Sequence, residues 1–334
     1  MEFEKQVRAI YRTLWLAWRR WLCNFVTPVG ADGFETVHDN FQRKVPIDNV
    51  DAPEMTRLEK VRWHLSTDML GLEIGPSHNP IVPKAEGWNV RTIDHATRED
   101  LIAKYRDHGV DLNKIEDVDY VWHGEPIDEL IGPTGLESFD YCIASHVIEH
   151  FPDLIGFLQN IERLLVPGGL LSLVVPDKRH CFDFFKPLTN TADLLEAHEF
   201  KRRTHSRRTV FEFVAYSAKR GDAITWDSRQ QGELGFAHSL TQAKQMFDSY
   251  SESEPYADFH RSYFVPSSFE LVVLELRALG LTTFSVAHTF DPAGCEFYVT
   301  LEKTGTHTLP DETCERQRLE LLRATTIEVC AAFA

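Results

Sequence analysis

Apolar and polar positions fall into three regimes along this chain. From Phe3 to Phe25 the apolar residues recur at helical spacing: Phe3, Val7, Ile10, Leu14, Trp18, Trp21 and Leu22, with Arg8, Arg12, Arg19 and Arg20 among them. This predicts an amphipathic N-terminal helix. Its apolar face can dock on its own domain, form a homodimer contact, or meet a membrane surface peripherally. Residues 26–53 read as linker, punctuated by Pro28, Gly30, Gly33, Pro46 and Pro53. A helix is expected from Glu54 to Asp68.

From there strands and helices alternate. Leu72–Ile74, Trp88–Asp94, Val118–Trp122, Phe139–Ala144 and Leu170–Val175 read as strands, the last an unbroken apolar run suited to the middle of a parallel sheet. Thr97 with Asp100 opens a helix through Leu101, Ile102 and Tyr105. Asp153–Leu165 carries a continuous apolar helical face, stopped by Pro167-Gly168-Gly169. Residues 187–262 break the alternation, with helical pieces at Leu194–Phe200 and Leu240–Phe247. A helix over Ser267–Leu279 and strands over Leu281–Thr289 and Cys295–Glu302 follow. Asp291-Pro292-Ala293-Gly294 turns the last two into an antiparallel hairpin, and residues 311–331 form a short helix.

The fold class expected is α/β: a Rossmann-like seven-stranded sheet of five parallel-type strands plus a C-terminal antiparallel hairpin. It has helices on both faces, an N-terminal helical extension and a helical insertion before strand six. The divisions are 1–64 (extension and linker), 65–186 (cofactor-binding core), 187–262 (lid or acceptor-binding insertion), 263–303 (end of the core) and 304–334 (C-terminal helix).

Composition narrows the function. With 43% hydrophobic residues among 334, the chain can bury a sizeable core. A net charge of −16 repels phosphate backbones, so nucleic acid is not expected as a partner. The six cysteines make no C-x-x-C pair, which suits a reducing, cytoplasmic setting. No apolar run is long enough to span a membrane, and Arg19 and Arg20 break the pattern of a secretory signal.

Leu72-Glu73-Ile74-Gly75-Pro76-Ser77 reads as a buried strand ending at a glycine turn, where a nucleotide-like ligand is met at the edge of an open α/β sheet. Together with Asp94 at the end of the second strand, Phe139-Asp140, the Ser145-His146-Val147-Ile148-Glu149-His150 word and Leu165-Val166-Pro167-Gly168-Gly169, it resembles the class I S-adenosylmethionine-dependent methyltransferases. The resemblance covers residues 65–185 and 263–303. It implies S-adenosyl-L-methionine as cofactor and a binding set of Glu73, Gly75, Pro76, Ser77, Asp94, His95, Ser145 and His146, with His123-Gly124-Glu125 at the adenine end. Asp94 would take the ribose hydroxyls, and either His123 or Glu125 stands where the family has its adenine-side acid.

Methyl transfer to oxygen or nitrogen needs a base near the methyl group. The candidates are His150, Asp177, His180 and His260. Pro176-Asp177-Lys178 resembles a segment of methyltransferase-like proteins among glycan-modifying enzymes, which points to O-methylation of a small-molecule or glycan-type acceptor. The basic stretch Lys201-Arg202-Arg203, His205, Arg207-Arg208 suits an anionic acceptor or a solvated helical face.

Three other readings compete: a non-catalytic methyltransferase-like binding module, given the proline-crowded first loop; an NAD-dependent enzyme; and a zinc peptidase, because His146–His150 spells H-x-x-E-H. The last needs a helix with both histidines on one face. The word sits instead at a strand end before Phe151-Pro152, so no metal is expected.

Overall fold

The computed structural model describes residues 55–227, 230, 232–251, 257–305 and 310–333. The amphipathic segment Phe3–Phe25 lies outside them. Seven strands form one sheet in the order β3-β2-β1-β4-β5-β9-β8. They are β1 (Gly71–Ile74), β2 (Val90–Asp94), β3 (Tyr120–Val121), β4 (Phe139–Ser145), β5 (Leu165–Pro176), β8 (Phe284–Ala293) and β9 (Glu296–Lys303). The first five run parallel, with Leu72 opposite Arg91 on one side and Cys142 on the other. β9 pairs antiparallel with both β5 and β8. The expected sheet is therefore present.

Period-two alternation makes both faces apolar. On β4, Cys142 and Ala144 join one core while Tyr141 and Ile143 join the other. The first core is closed by α4 (Leu154–Leu164) and α8 (Pro266–Ala278). Leu154, Ile155, Phe157, Leu158, Ile161 and Leu164 of α4 are all buried. At about 1.5–3 kcal/mol for each large side chain, this face alone holds the helix to the sheet. Asp153 caps it by accepting from the Gly156 amide at 2.8 Å.

Other elements depart from the pattern read in the sequence. The helix expected over Glu54–Asp68 is only α1 (Arg57–Val61). It ends because Arg62 reaches the Ile81 carbonyl, His64 turns to φ 61° and Trp63 stacks on His288. The third strand shrinks to two residues, though the Trp122 amide still donates to the Asp94 carbonyl. β5 begins at Leu165 rather than Leu170, because Pro167-Gly168-Gly169 is accommodated as an irregularity against Phe139–Tyr141. Between β1 and β2 the prolines leave one 3-10 turn, Lys84–Glu86. α2 (Arg98–Tyr105) starts at Thr97 as its cap motif dictates, and α3 (Ile127–Ile131) precedes β4.

Residues 187–262 hold α5 (Thr191–Glu199), α6 (Arg207–Ala215), the hairpin β6 (Ala218–Arg220) and β7 (Leu234–Phe236), and α7 (Leu240–Ser249). α6 and the hairpin were not legible in the sequence. Val210, Phe213, Val214, Ala243, Met246, Tyr250 and Phe259 gather with Phe182 into a core of their own. The C-terminal α9 (Asp311–Ala331) is long rather than short and packs on α8. No helix among the described residues is long and apolar enough to cross a membrane.

Candidate active site

β1 and β4 are neighbours, and the chain leaves them toward opposite edges of the sheet. Their carboxyl ends therefore border the crevice where open α/β sheets take ligands. Gly75 leaves β1 at φ 68°, a conformation that suits glycine. A Cβ there would sit 3.3 Å from Cγ2 of Val147, so the first turn and the loop after β4 nearly touch. The Pro76 carbonyl accepts from the Asn79 amide, closing the turn. Ser77, at φ 51°, donates its amide to Oδ2 of Asp94 at 2.9 Å, and its hydroxyl to the Tyr105 hydroxyl at 2.7 Å. The buried Asp94 also accepts, on Oδ1, from the His95 amide at 2.8 Å. The half-exposed His95 ring covers the same oxygen at 2.6 Å.

Glu73 points elsewhere. Its carboxylate accepts from the Ile81 amide at 2.7 Å and the Val82 amide at 3.2 Å, anchoring the proline-rich loop. Burial pushes this carboxyl up to about 7 despite those bonds. Beyond β3, Gly124 takes φ 102°, and Glu125 folds back to accept from the His123 amide at 2.9 Å. The His123 side chain faces solvent.

At the end of β4, His146 is held at φ 54°. Its Nε2 lies 2.6 Å from Oε2 of Glu296, which opens β9. Arg57 donates to Glu296 at 2.6 Å and to the Ser145 hydroxyl at 3.0 Å, and Tyr298 adds a hydroxyl at 2.7 Å. Burial alone would raise the Glu296 carboxyl. The bond from His146 and the charge of Arg57 hold it low instead, at about 2.

The next turn, Ile148–His150, sends Glu149 inward, 1% exposed. Its carbonyl accepts from the amides of Arg261 and Ser262, fixing the strand-like segment that carries His260. Its carboxylate has no hydrogen-bond partner among the described residues. Around Oε1 stand three imidazole nitrogens: His150 Nε2 at 3.6 Å, His146 Nδ1 at 3.7 Å and His260 Nε2 at 4.0 Å. The rings of His150 and His260 meet edge to face at 4.5 Å. Each ring has a carboxylate at its other nitrogen. His260 Nδ1 is 2.7 Å from Asp183, and His150 Nδ1 is 2.7 Å from Asp258. Lys186, fully buried, pairs with Asp183 at 2.6 Å beneath the Phe182, Phe213 and Tyr263 rings.

Asp177 and His180 are not part of this group. Asp177 is fully buried, caps the Lys178–His180 turn and pairs with Arg179 at 2.8 Å. The His180 carbonyl accepts from the Trp226 amide, and burial lowers its imidazole. The basic stretch is divided. His205 is buried and pushed down to about 3 by that burial, Arg208 pairs with Glu212 at 2.8 Å, and Arg207 donates to the Tyr250 carbonyl. Lys201 and Arg203 remain exposed.

Sequence reading thus missed Arg57, Glu149, Asp183, Lys186, Asp258 and Glu296. Glu149 and Asp258 stood inside words singled out for their histidines. For Arg57, Asp183, Lys186 and Glu296 no local pattern marked a site.

A family model described as a methyltransferase domain matches residues 47–251. No curated protein matches the chain. Solved structures that match the chain include an S-adenosylmethionine-dependent methyltransferase from Mesorhizobium loti. It shows 14% identity over 73% of this chain and 97% of that one, with a TM-score of 0.37. Another is 1,6-didemethyltoxoflavin-N1-methyltransferase from Burkholderia thailandensis, solved with bound 1,6-didemethyltoxoflavin and S-adenosylhomocysteine. It shows 15% identity over 74% of this chain and 76% of that one, with a TM-score of 0.37.

Proposed function

The chain belongs to the class I S-adenosylmethionine-dependent methyltransferases, and from that premise we propose that it methylates a hydroxyl oxygen of a small-molecule or glycan-type acceptor. S-adenosylmethionine supplies a methyl group activated by its sulfonium. The residues at the β1–β4 crevice fit such a ligand. Gly75 leaves room for close approach of a backbone-hugging chain, and Asp94 is a buried acceptor at the end of β2. Its Oδ1 is covered by the half-exposed His95 ring, which a ribose hydroxyl would displace. Pro76, Ser77, Ser145 and His146 would border the methionine part, and His123 or Glu125 the adenine.

One observation carries the acceptor chemistry. His150 and His260 flank Glu149 in the loop whose Val147 touches the Gly75 turn. An acceptor hydroxyl must lose its proton as its oxygen attacks, and His150 and His260 supply imidazoles beside the crevice loop. Against the opposing effect of burial, Asp258 pushes His150 up to about 9, which makes it a strong base once its own proton is released. Asp177 is committed to Arg179, so His150 and His260 are favoured over it. The exposed Lys201 and Arg203 suit an anionic acceptor, and the buried free cysteines suit a reducing cytoplasm. The glycan-type class rests on the Pro176-Asp177-Lys178 word.

The test is S-adenosylhomocysteine release from the full chain with a panel of hydroxyl- and amine-bearing acceptors, the product located by NMR. Transfer to oxygen is expected, with turnover lowered about 10²–10⁴-fold in His150→Ala and His260→Ala. Transfer to nitrogen or carbon, or turnover unchanged in both variants, would refute the proposal.

A further inference from the structure

Glu149 presents a physical problem. A carboxylate 1% exposed, with no hydrogen-bond donor among the described residues, is costly to bury. Yet the groups turned toward it are nitrogens of three imidazoles, and Arg57 and Lys186 spend their charges on other carboxylates. Glu149, Asp183 and Glu296, all buried, stand around these rings, and a cation would supply the partner that the Glu149 carboxylate lacks among the described residues.

We propose that Glu149, His150 and His260 form a binding site for a first-row divalent transition-metal cation. One ligand atom from each lies within 4.8 Å of the other two. The 3.6 Å and 4.0 Å separations from Glu149 Oε1 to the two imidazoles are a small contraction away from the ligand–ligand edge of about 3.3 Å set by 2.0–2.1 Å metal bonds. Two histidines and one carboxylate make an imidazole-rich set that favours zinc, iron, cobalt or manganese over magnesium and leaves coordination positions open. Each histidine is also oriented as a metal ligand must be. Asp183 holds Nδ1 of His260 and Asp258 holds Nδ1 of His150, which aims both Nε2 atoms at Glu149. Lys186 in turn fixes Asp183. His146 Nδ1, 3.7 Å from Glu149, stands on the crevice side of the cluster.

The H-x-x-E-H word therefore works in another way than in a peptidase helix. Its glutamate and second histidine act together, and the remaining ligand comes from the segment after the insertion. The site lies in the loop that borders the crevice, so open positions on the cation would take oxygen donors of an acceptor and lower the cost of removing a hydroxyl proton. With the cation bound, His150 and His260 serve as ligands in place of the base role, and the proton passes to water. Cation binding itself does not depend on the methyl-transfer reading. Only this use of it does.

The experiment is titration of the chelator-stripped full chain with Zn²⁺, Mn²⁺, Co²⁺ or Mg²⁺ alone, by calorimetry and, for Co²⁺, by its visible absorption. Saturation at a single equivalent is expected, with affinity reduced more than about 100-fold in Glu149→Gln and His260→Gln and about 10–100-fold in Asp183→Asn. His180→Gln, outside the cluster, should bind as the parent does. Glu149→Gln is nearly isosteric and removes a buried charge, so its thermal melt should match or exceed that of the stripped parent. The inference is overturned by absence of binding at millimolar metal, by binding of Mg²⁺ alone, or by unchanged affinity in both ligand variants. S-adenosylhomocysteine titrated into the same stripped sample separates the two readings. Its binding without metal binding sinks only this inference, and metal binding without it sinks only the methyltransferase reading.

Discussion

Oδ2 of Asp94 accepts the backbone amide of Ser77 at 2.9 Å, tying the end of β2 to the turn that follows β1. One carboxylate thus shapes the crevice and remains beside it as an acceptor. Replacing Asp94 with alanine should weaken S-adenosylhomocysteine binding by about 1–3 kcal/mol, the range for losing hydrogen bonds to a charged group. Calorimetry with Asp94→Ala checks this. Unchanged affinity would remove Asp94 from the ribose role.

Gly71 faces the Tyr141 ring so closely that an added Cβ would overlap it. Tyr141 is fully buried between strands and cannot swing away. Gly71→Ala is expected to cost about 1–3 kcal/mol or more, as overpacked cores do, measured by urea unfolding. A variant as stable as the parent would mean that β1 and β4 are not paired in this register.

Glu73 gives the fold a pH signature. In the folded chain its carboxyl keeps its proton up to about pH 7, because burial opposes the charge, whereas the unfolded chain loses it near 4.5. Between those values the unfolded state binds fewer protons, so stability falls as pH rises, by on the order of 3 kcal/mol, and levels off above 7. Glu73→Gln should abolish that decline in unfolding free energies measured from pH 4.5 to 8. An equal decline in the variant would assign it to other groups.

Lys186 and Asp183 form a buried pair. Lys186→Met fills similar space but takes the one permanent cation from the buried Asp183 carboxylate, leaving it His260 Nδ1 alone as a strong partner, so a loss of about 3–5 kcal/mol is expected in chemical denaturation. Asp183→Asn combined with Lys186→Met should recover part of it. A single variant with parental stability would contradict the buried pairing.

Legibility in the sequence followed the range of the interaction. Strand β5 could be read because burial on both faces writes a continuous apolar run, β2 because it alternates and ends in an acid, and α4 because its stripe has helical period. Gly75 and Asp94 were legible because a tight turn and a strand-terminal acid are local features. α1 was overextended since Trp63 packs on His288, a contact no local pattern encodes. The Glu149–His260 meeting was hidden for the same reason. It depends on the insertion returning the chain to β4, and Glu296, which meets His146, comes from β9, two strands away in the sheet and 150 residues on in the sequence. Asp177 stood out as an acid after β5, but only the fold shows Arg179 occupying it.

The most direct test of the account is calorimetric titration of the full chain with S-adenosylhomocysteine, beside Asp94→Ala. Binding of one ligand per chain is predicted, weakened in the variant and unaffected by NADH. No heat of binding at millimolar ligand, or displacement by NADH, would contradict it.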